Sequence, residues 1–94
     1  MRRTVFYISD STGITAETIG NSILAQFDGV QFDTHRLPFT DTPAKAEAAA
    51  LRIKTRYAQT GQRPIVVNTL ADPSLCDVVA QSGALMIDVF APFM

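Results

Sequence analysis

The residues best suited to chemistry run Ser9-Asp10-Ser11-Thr12-Gly13-Ile14-Thr15. They follow an apolar run, Thr4–Ile8, and precede a helical pattern that begins near Thr15. A strand that delivers hydroxyls, a glycine and a carboxylate onto a helix N-terminus has the geometry for holding an anion. There the first helical N–H groups lack intrahelical partners and the macrodipole points positive. Ser11, Thr12 and Thr15 supply hydroxyl donors, and Gly13 permits close backbone approach. Arg36, beyond the next strand, adds a permanent cation. Together these residues can hold a phosphate or a phosphorylated side chain through charge-assisted bonds. Asp10 complicates that chemistry, because a carboxylate repels phosphate unless a metal or proton intervenes. It can instead hold Mg²⁺ or orient a hydroxyl. A plainer explanation covers the same residues: Asp10, Ser11, Thr12 and Thr15 all suit helix capping, a contribution of about 0.5–2 kcal/mol without any ligand.

Other reactive residue types stand alone. His35 falls on a strand with no visible catalytic partner, and Cys76 on a helix reads as a small buried hydrophobe. Lys45, Arg52 and Arg56 follow one flank of a helix and read as a solvated face. Asp72 and Asp41 are explained as a cap and a turn former. One histidine and one cysteine cannot complete a usual structural zinc site. Neither the phosphate-loop pattern G-x-x-x-x-G-K-[ST] nor the dinucleotide fingerprint G-x-G-x-x-G occurs, and no G-x-S-x-G elbow is present.

The elements that must position these groups alternate. Thr4–Ser9 predicts a first strand. A helix from about Thr15 to Phe27 places Ala16, Ile19, Gly20, Ile23, Leu24 and Phe27 on one stripe, with Asp28-Gly29 ending it. Gly20 on that stripe predicts close helix–sheet approach. Val30–Leu37 reads as a second strand, with Val30, Phe32 and Thr34 on one face and Gln31, Asp33 and His35 on the other. Thr42-Pro43 opens a second helix, which buries Ala46, Ala49, Ala50, Ile53 and Tyr57 and closes at Gly61. Pro64–Thr69 is a third strand, Asp72-Pro73 opens a third helix ending at Ser82-Gly83, and Ala84–Phe90 is a fourth strand.

Short connections between alternating strands and helices imply βαβ units. The expected fold is a three-layer α/β/α domain over residues 1–94, with a mainly parallel sheet of about four strands and a Rossmann- or flavodoxin-like plan. After the fourth strand the sequence ends at Ala91-Pro92-Phe93-Met94 with no covering helix. That predicts a fold truncated at the C-terminus, the N-terminal piece of a longer protein. An exposed edge on the fourth strand would favour self-association.

Composition narrows the class. With 94 residues, 47% hydrophobic and 18% charged, the chain is globular and no more than one domain. A net charge of −1 leaves no basic field for nucleic acid or anionic lipid. The apolar run after Met1-Arg2-Arg3 reaches Asp10 too soon for a signal peptide. No apolar stretch approaches the roughly 18–20 residues of a membrane span. A single cysteine fits a reducing, cytoplasmic setting.

The stretch Ile8-Ser9-Asp10-Ser11-Thr12-Gly13-Ile14-Thr15-Ala16-Glu17-Thr18 resembles the N-terminal signature of the bacterial phosphoenolpyruvate synthase and pyruvate, phosphate dikinase regulatory proteins. Arg36-Leu37-Pro38-Phe39-Thr40-Asp41-Thr42, Asn68-Thr69-Leu70-Ala71-Asp72-Pro73 and Asp88-Val89-Phe90-Ala91-Pro92-Phe93 are similar as well, in the same order. The resemblance implies a bifunctional kinase–pyrophosphorylase. Such a protein phosphorylates a threonine of its target with ADP as donor, and removes that phosphate by phosphorolysis with inorganic phosphate, releasing pyrophosphate. It further implies that the nucleotide-binding phosphate loop lies in a C-terminal part outside these residues. Catalytic residues are therefore assigned nowhere here, the fragment alone is expected to be inactive, and no cofactor is expected to reside in it. The implied partner is phosphoenolpyruvate synthase or pyruvate, phosphate dikinase. Asp10, Ser11, Thr12, Gly13, Thr15 and Arg36 are the candidates for recognising the target or its phosphothreonine.

Two other functions compete. Thr12-Gly13-Ile14-Thr15 matches the T-G-x-T core of a flavodoxin phosphate loop, which implies FMN binding. Asp10 in place of a hydroxyl, and the lack of tryptophan, weigh against it. The other is a non-catalytic docking module, which would bind a protein partner and ignore small ligands.

Overall fold

The computed structural model describes residues 2–89. Within them β1 (Arg2–Ile8), α1 (Ile14–Leu24), β2 (Gln31–Leu37), α2 (Pro43–Thr60), β3 (Ile65–Asn68), α3 (Pro73–Ala80) and β4 (Leu85–Asp88) alternate strictly. Every strand pairing is parallel, and the sheet order is β2-β1-β3-β4. This is the three-layer α/β arrangement that the sequence predicts, now with its strand order.

β1 is central, and its residues show why. Val5, Phe6, Tyr7 and Ile8 are all at most 2% exposed, so both faces of the strand are covered. Val5 and Tyr7 pack with Val67 against Ala16 and Leu24 of α1. Phe6 and Ile8 pack with Val66 on the other face, against Ala46, Ala49 and Ile53 of α2 and Leu75 and Val79 of α3. Successive side chains of a strand alternate faces, so α1 covers one side of the sheet and α2 with α3 the other.

Two helix starts are written in side chains. Thr42 accepts a hydrogen bond from the Lys45 N–H at 3.2 Å, and Asp72 accepts one from the Ser74 N–H at 2.9 Å, each followed by proline. The first helix departs from expectation at both ends. Its N-cap is Gly13 at φ 85°, with no side-chain cap, so Asp10, Ser11, Thr12 and Thr15 do not cap it. It ends at Leu24 with Ala25 as C-cap rather than running to Phe27 and Gly29. Phe27 is 56% exposed, its ring edge-on to Phe32, because the chain has already turned toward β2. Tyr57 is half-buried rather than part of the α2 core stripe, and α3 ends at Ala80, short of Ser82-Gly83. β3 and β4 are four residues each, shorter than the sequence suggested. Phe90 and the terminal Ala91–Met94 lie outside the described residues.

Candidate functional site

From β1 the chain reaches β2 on one side through α1, and from β2 it crosses the opposite face through α2 to reach β3 on the other side of β1. Crossovers that leave in opposite directions open a crevice at the carboxyl ends of the two central strands, the usual ligand position in open parallel sheets. The segment Ser9–Gly13 and the segment Thr69–Asp72 form that end of the sheet.

The first segment is interlocked with the chain after β2. The N–H of Phe39 donates to the Ser11 carbonyl at 2.8 Å, and that of Thr40 donates to the Ser9 carbonyl at 2.8 Å. Ser9 Oγ accepts from the Ser11 N–H at 3.1 Å and lies 3.2 Å from Ser11 Oγ. Phe39 is held at φ 57°, a conformation few aromatic residues adopt, while its ring is 54% exposed. The price in backbone strain is about 1–3 kcal/mol, offset by the bonds on either side.

Arg36 and Gly13 do come together. Arg36 pairs in register with Tyr7, so its side chain leaves on the α1 face. There a Cβ on Gly13 would stand 2.9 Å from Arg36 Cδ, which means the arginine stem runs across the start of α1. The guanidinium then meets Glu17, with Nε 3.3 Å from Oε2. Glu17 was not among the sequence candidates. The available signal was its position in the first turn of α1, on the helix that covers the Arg36 face. Asp10, Ser11, Thr12 and Thr15 are exposed around this pair. The cation is thus already paired with a carboxylate, and an anion that takes the guanidinium must displace Glu17 from it. Both partners are nearly half exposed, at 46% and 41%, so that exchange costs about 0–1 kcal/mol.

Polar groups at the ends of β3 and β4 serve the frame. Asn68 donates from Nδ2 to Asp88 Oδ1 at 2.8 Å and accepts at Oδ1 from the Leu70 N–H at 3.0 Å. Thr69 donates from both its N–H and its hydroxyl to the Ile8 carbonyl, at 3.1 and 3.0 Å. Cys76 is half-buried between Asn68 Nδ2 and the Leu70 carbonyl. Among the described residues no three His, Cys, Asp or Glu side chains are grouped to hold a metal ion, and no helix is long and apolar enough to cross a membrane.

The flank of α2 is not a simple solvated face. Arg56 donates to Thr4 Oγ1 at 3.0 Å and to Asp33 Oδ2 at 3.3 Å, where Arg2 also binds Asp33. These contacts, with the Arg2 hydrogen bond first, hold the Asp33 carboxyl below its usual range. The Arg52 guanidinium lies 5.9 Å from the centre of the Phe6 ring. His35 stacks on the same ring at 5.3 Å. Partial burial lowers its affinity for a proton, and the cations of Arg52 and Arg56 lower it further, against an opposing pull from Asp33. Between α2 and β2 this leaves a hollow of about 460 Å³, and a second of about 370 Å³ near the Arg36–Thr40 turn shares Ala48 and Arg52 with it.

A family model described as kinase/pyrophosphorylase matches residues 5–94. The chain belongs to that family. Similar proteins, each named as a phosphoenolpyruvate synthase regulatory protein, come from Xanthomonas campestris pv. campestris, at 55% identity, and Stenotrophomonas maltophilia, at 56%. A third, from Xanthomonas oryzae pv. oryzae, is 54% identical. Each alignment runs over 92 residues, 98% of this chain and 34% of the relative. The chain therefore spans about a third of the length of these relatives.

Proposed function

We propose that this chain is the N-terminal part of a regulator of phosphoenolpyruvate synthase, one that phosphorylates a threonine of the synthase with ADP and removes the phosphate by phosphorolysis. The names of the relatives support the target, and the family description supports the pair of reactions. The nucleotide site belongs to residues beyond this chain, and the setting is the cytoplasm. Within this part, Asp10, Ser11, Thr12, Gly13 and Thr15 with Arg36 form the surface that receives the threonine segment or its phosphate.

The observation that carries the local assignment is the Arg36 stem lying across Gly13, with a half-exposed cation beside helical N–H groups that no side chain caps. Phosphate on the target threonine would compete with Glu17 for the guanidinium, so phosphorylated and unphosphorylated targets would be held differently. The test is Arg36→Ala in a protein of the relatives' full length, assayed in both directions on the synthase. Loss of phosphorolysis greater than loss of phosphorylation supports the role; unchanged rates in both directions end it. The strand order shared with flavodoxins reflects the fold alone, and FMN has no place in this reading.

A further inference from the structure

Two hollows share the residues Ala48 and Arg52 and so form one trough, running from the Phe39 turn along the seam between α2 and β2. Its lining is one-sided in charge. The side chains of Lys45, Arg52 and Arg56 border it, three of the eight Lys and Arg residues in the sequence, together with His35, while the Arg36 side chain leaves on the α1 face. None of the nine Asp and Glu residues borders it. The net charge of the chain is −1, so the concentration of cations here is local. Two of the three have carboxylate partners standing outside the trough: Asp41 for Lys45 and Asp33 for Arg56. Arg52 has none among the described residues, and lies over an aromatic floor instead. The rim is apolar, with Leu51 66% and Phe39 54% exposed.

We propose that this trough docks an acidic segment of the target synthase, with a carboxylate on Arg52 and an apolar side chain against Leu51. The charge selects the occupant: a guanidinium 5.9 Å over the Phe6 ring and lacking a carboxylate is well presented to accept one, in the bidentate manner arginine favours. The position selects its source. The trough opens at the Phe39 turn, which is hydrogen-bonded to Ser11 and therefore continuous with the strand-end surface that receives the threonine. A segment lying in the trough is delivered to that surface. The inference rests on the proposed action on the synthase and adds a second contact area to it, along α2.

The test uses the full-length protein and phosphoenolpyruvate synthase from the same organism as the probe, with binding measured at low salt and at about 0.3 M. Arg52→Glu should weaken binding about tenfold or more and flatten its salt dependence, because a reversed charge meets the acidic segment. Leu51→Ser should weaken it less and leave the salt dependence intact. Lys54→Glu, the same charge change on α2 outside the trough, serves as the control and should stay within about twofold. The KM for the synthase should rise in Arg52→Glu while the KM for ADP stays constant. Thermal unfolding of each variant separates lost docking from lost folding, and Arg52→Gln, expected to fall between wild type and Arg52→Glu, serves if the charge reversal does not fold. Equal affinities for Arg52→Glu and Lys54→Glu overturn the trough while leaving action on the synthase standing. A wild-type protein that neither binds nor modifies the synthase overturns both.

Discussion

Gly20 lies flat against the ring of Tyr7: a Cβ built on the glycine would fall 3.0 Å from Cδ1 and closer still to Cε1. The helix can approach the sheet this nearly only because position 20 has no side chain. The Tyr7 hydroxyl then donates to Asn21 Oδ1 at 2.9 Å, one residue along, so the ring is fixed at both ends. Burial, and secondarily the charge of Glu17, make that hydroxyl harder to ionise.

Gly20→Ala should therefore destabilise the protein, although alanine is the better helix former by about 1 kcal/mol. Overpacking a buried contact costs about 1–3 kcal/mol, and the ring cannot retreat because β1 is covered on both faces. A net loss of about 1–2 kcal/mol is expected in urea unfolding, with partial recovery when Tyr7→Leu is added. A gain in stability would show that the helix can lift away.

Gly13→Ala tests the neighbouring approach. Its φ of 85° disfavours any L side chain by about 1–2 kcal/mol, and the new methyl would press on the Arg36 stem. The arginine is flexible and will move, so the loss should appear twice: as reduced stability, and as altered chemical shifts at Glu17 when its partner leaves. Stability loss with an undisturbed Glu17 would mean that the stem has room to spare.

Glu17→Gln releases Arg36 without changing the backbone. If the strand-end surface receives phosphate, affinity for pyrophosphate should rise about two- to fivefold, the range of an exposed ion pair removed from competition. Amide shifts at residues 13–16 during titration would read it directly. A fall in affinity, or no binding in either protein, would remove anion recognition from this end of the sheet.

His35 should make the protein acid-sensitive. Its folded pKa lies below the ordinary 6.5, so the unfolded chain binds the extra proton first. The stability contributed by the neutral ring is complete above about pH 6.5 and declines as pH falls toward and through the lowered folded value. The facing groups are Arg52 and Arg56 from α2, which oppose the proton, and Asp33 from β2, which favours it. Urea midpoints should fall more between pH 7.5 and pH 5 in the wild type than in His35→Gln, as an order-of-magnitude comparison of slopes. Equal slopes would assign the acid sensitivity elsewhere.

The parts legible in the sequence are those specified by neighbours in the chain. Thr42-Pro43 and Asp72-Pro73 mark helix starts because cap and proline act within one turn. Gly20 reveals a close approach because nothing else explains a glycine on an apolar stripe. The end of α1 was hidden, since the apolar period continues to Phe27 although the chain turns after Leu24. The strand order and the trough depend on which strand lies beside β1 and how far α2 stands from β2, and no local pattern encodes either distance. The same holds for Glu17 and Arg36, nineteen positions apart in sequence and joined only through the α1 face of the sheet. The two candidate loops are thus separate in the sequence, while the pairing of Glu17 with Arg36 shows only in three dimensions.

The central place of β1 has a consequence for synthesis. Its two neighbours lie at residues 31–37 and 65–68, so the strand with the longest buried run leaves the ribosome before either edge can be paired. The β1-α1-β2 unit can close early, over some thirty residues. The other edge must wait until the whole of α2 and β3 has emerged, and during that interval an unprotected row of backbone groups from Val5 to Ile8 is open to other nascent chains. The architecture therefore makes the timing of translation through α2 part of its own folding.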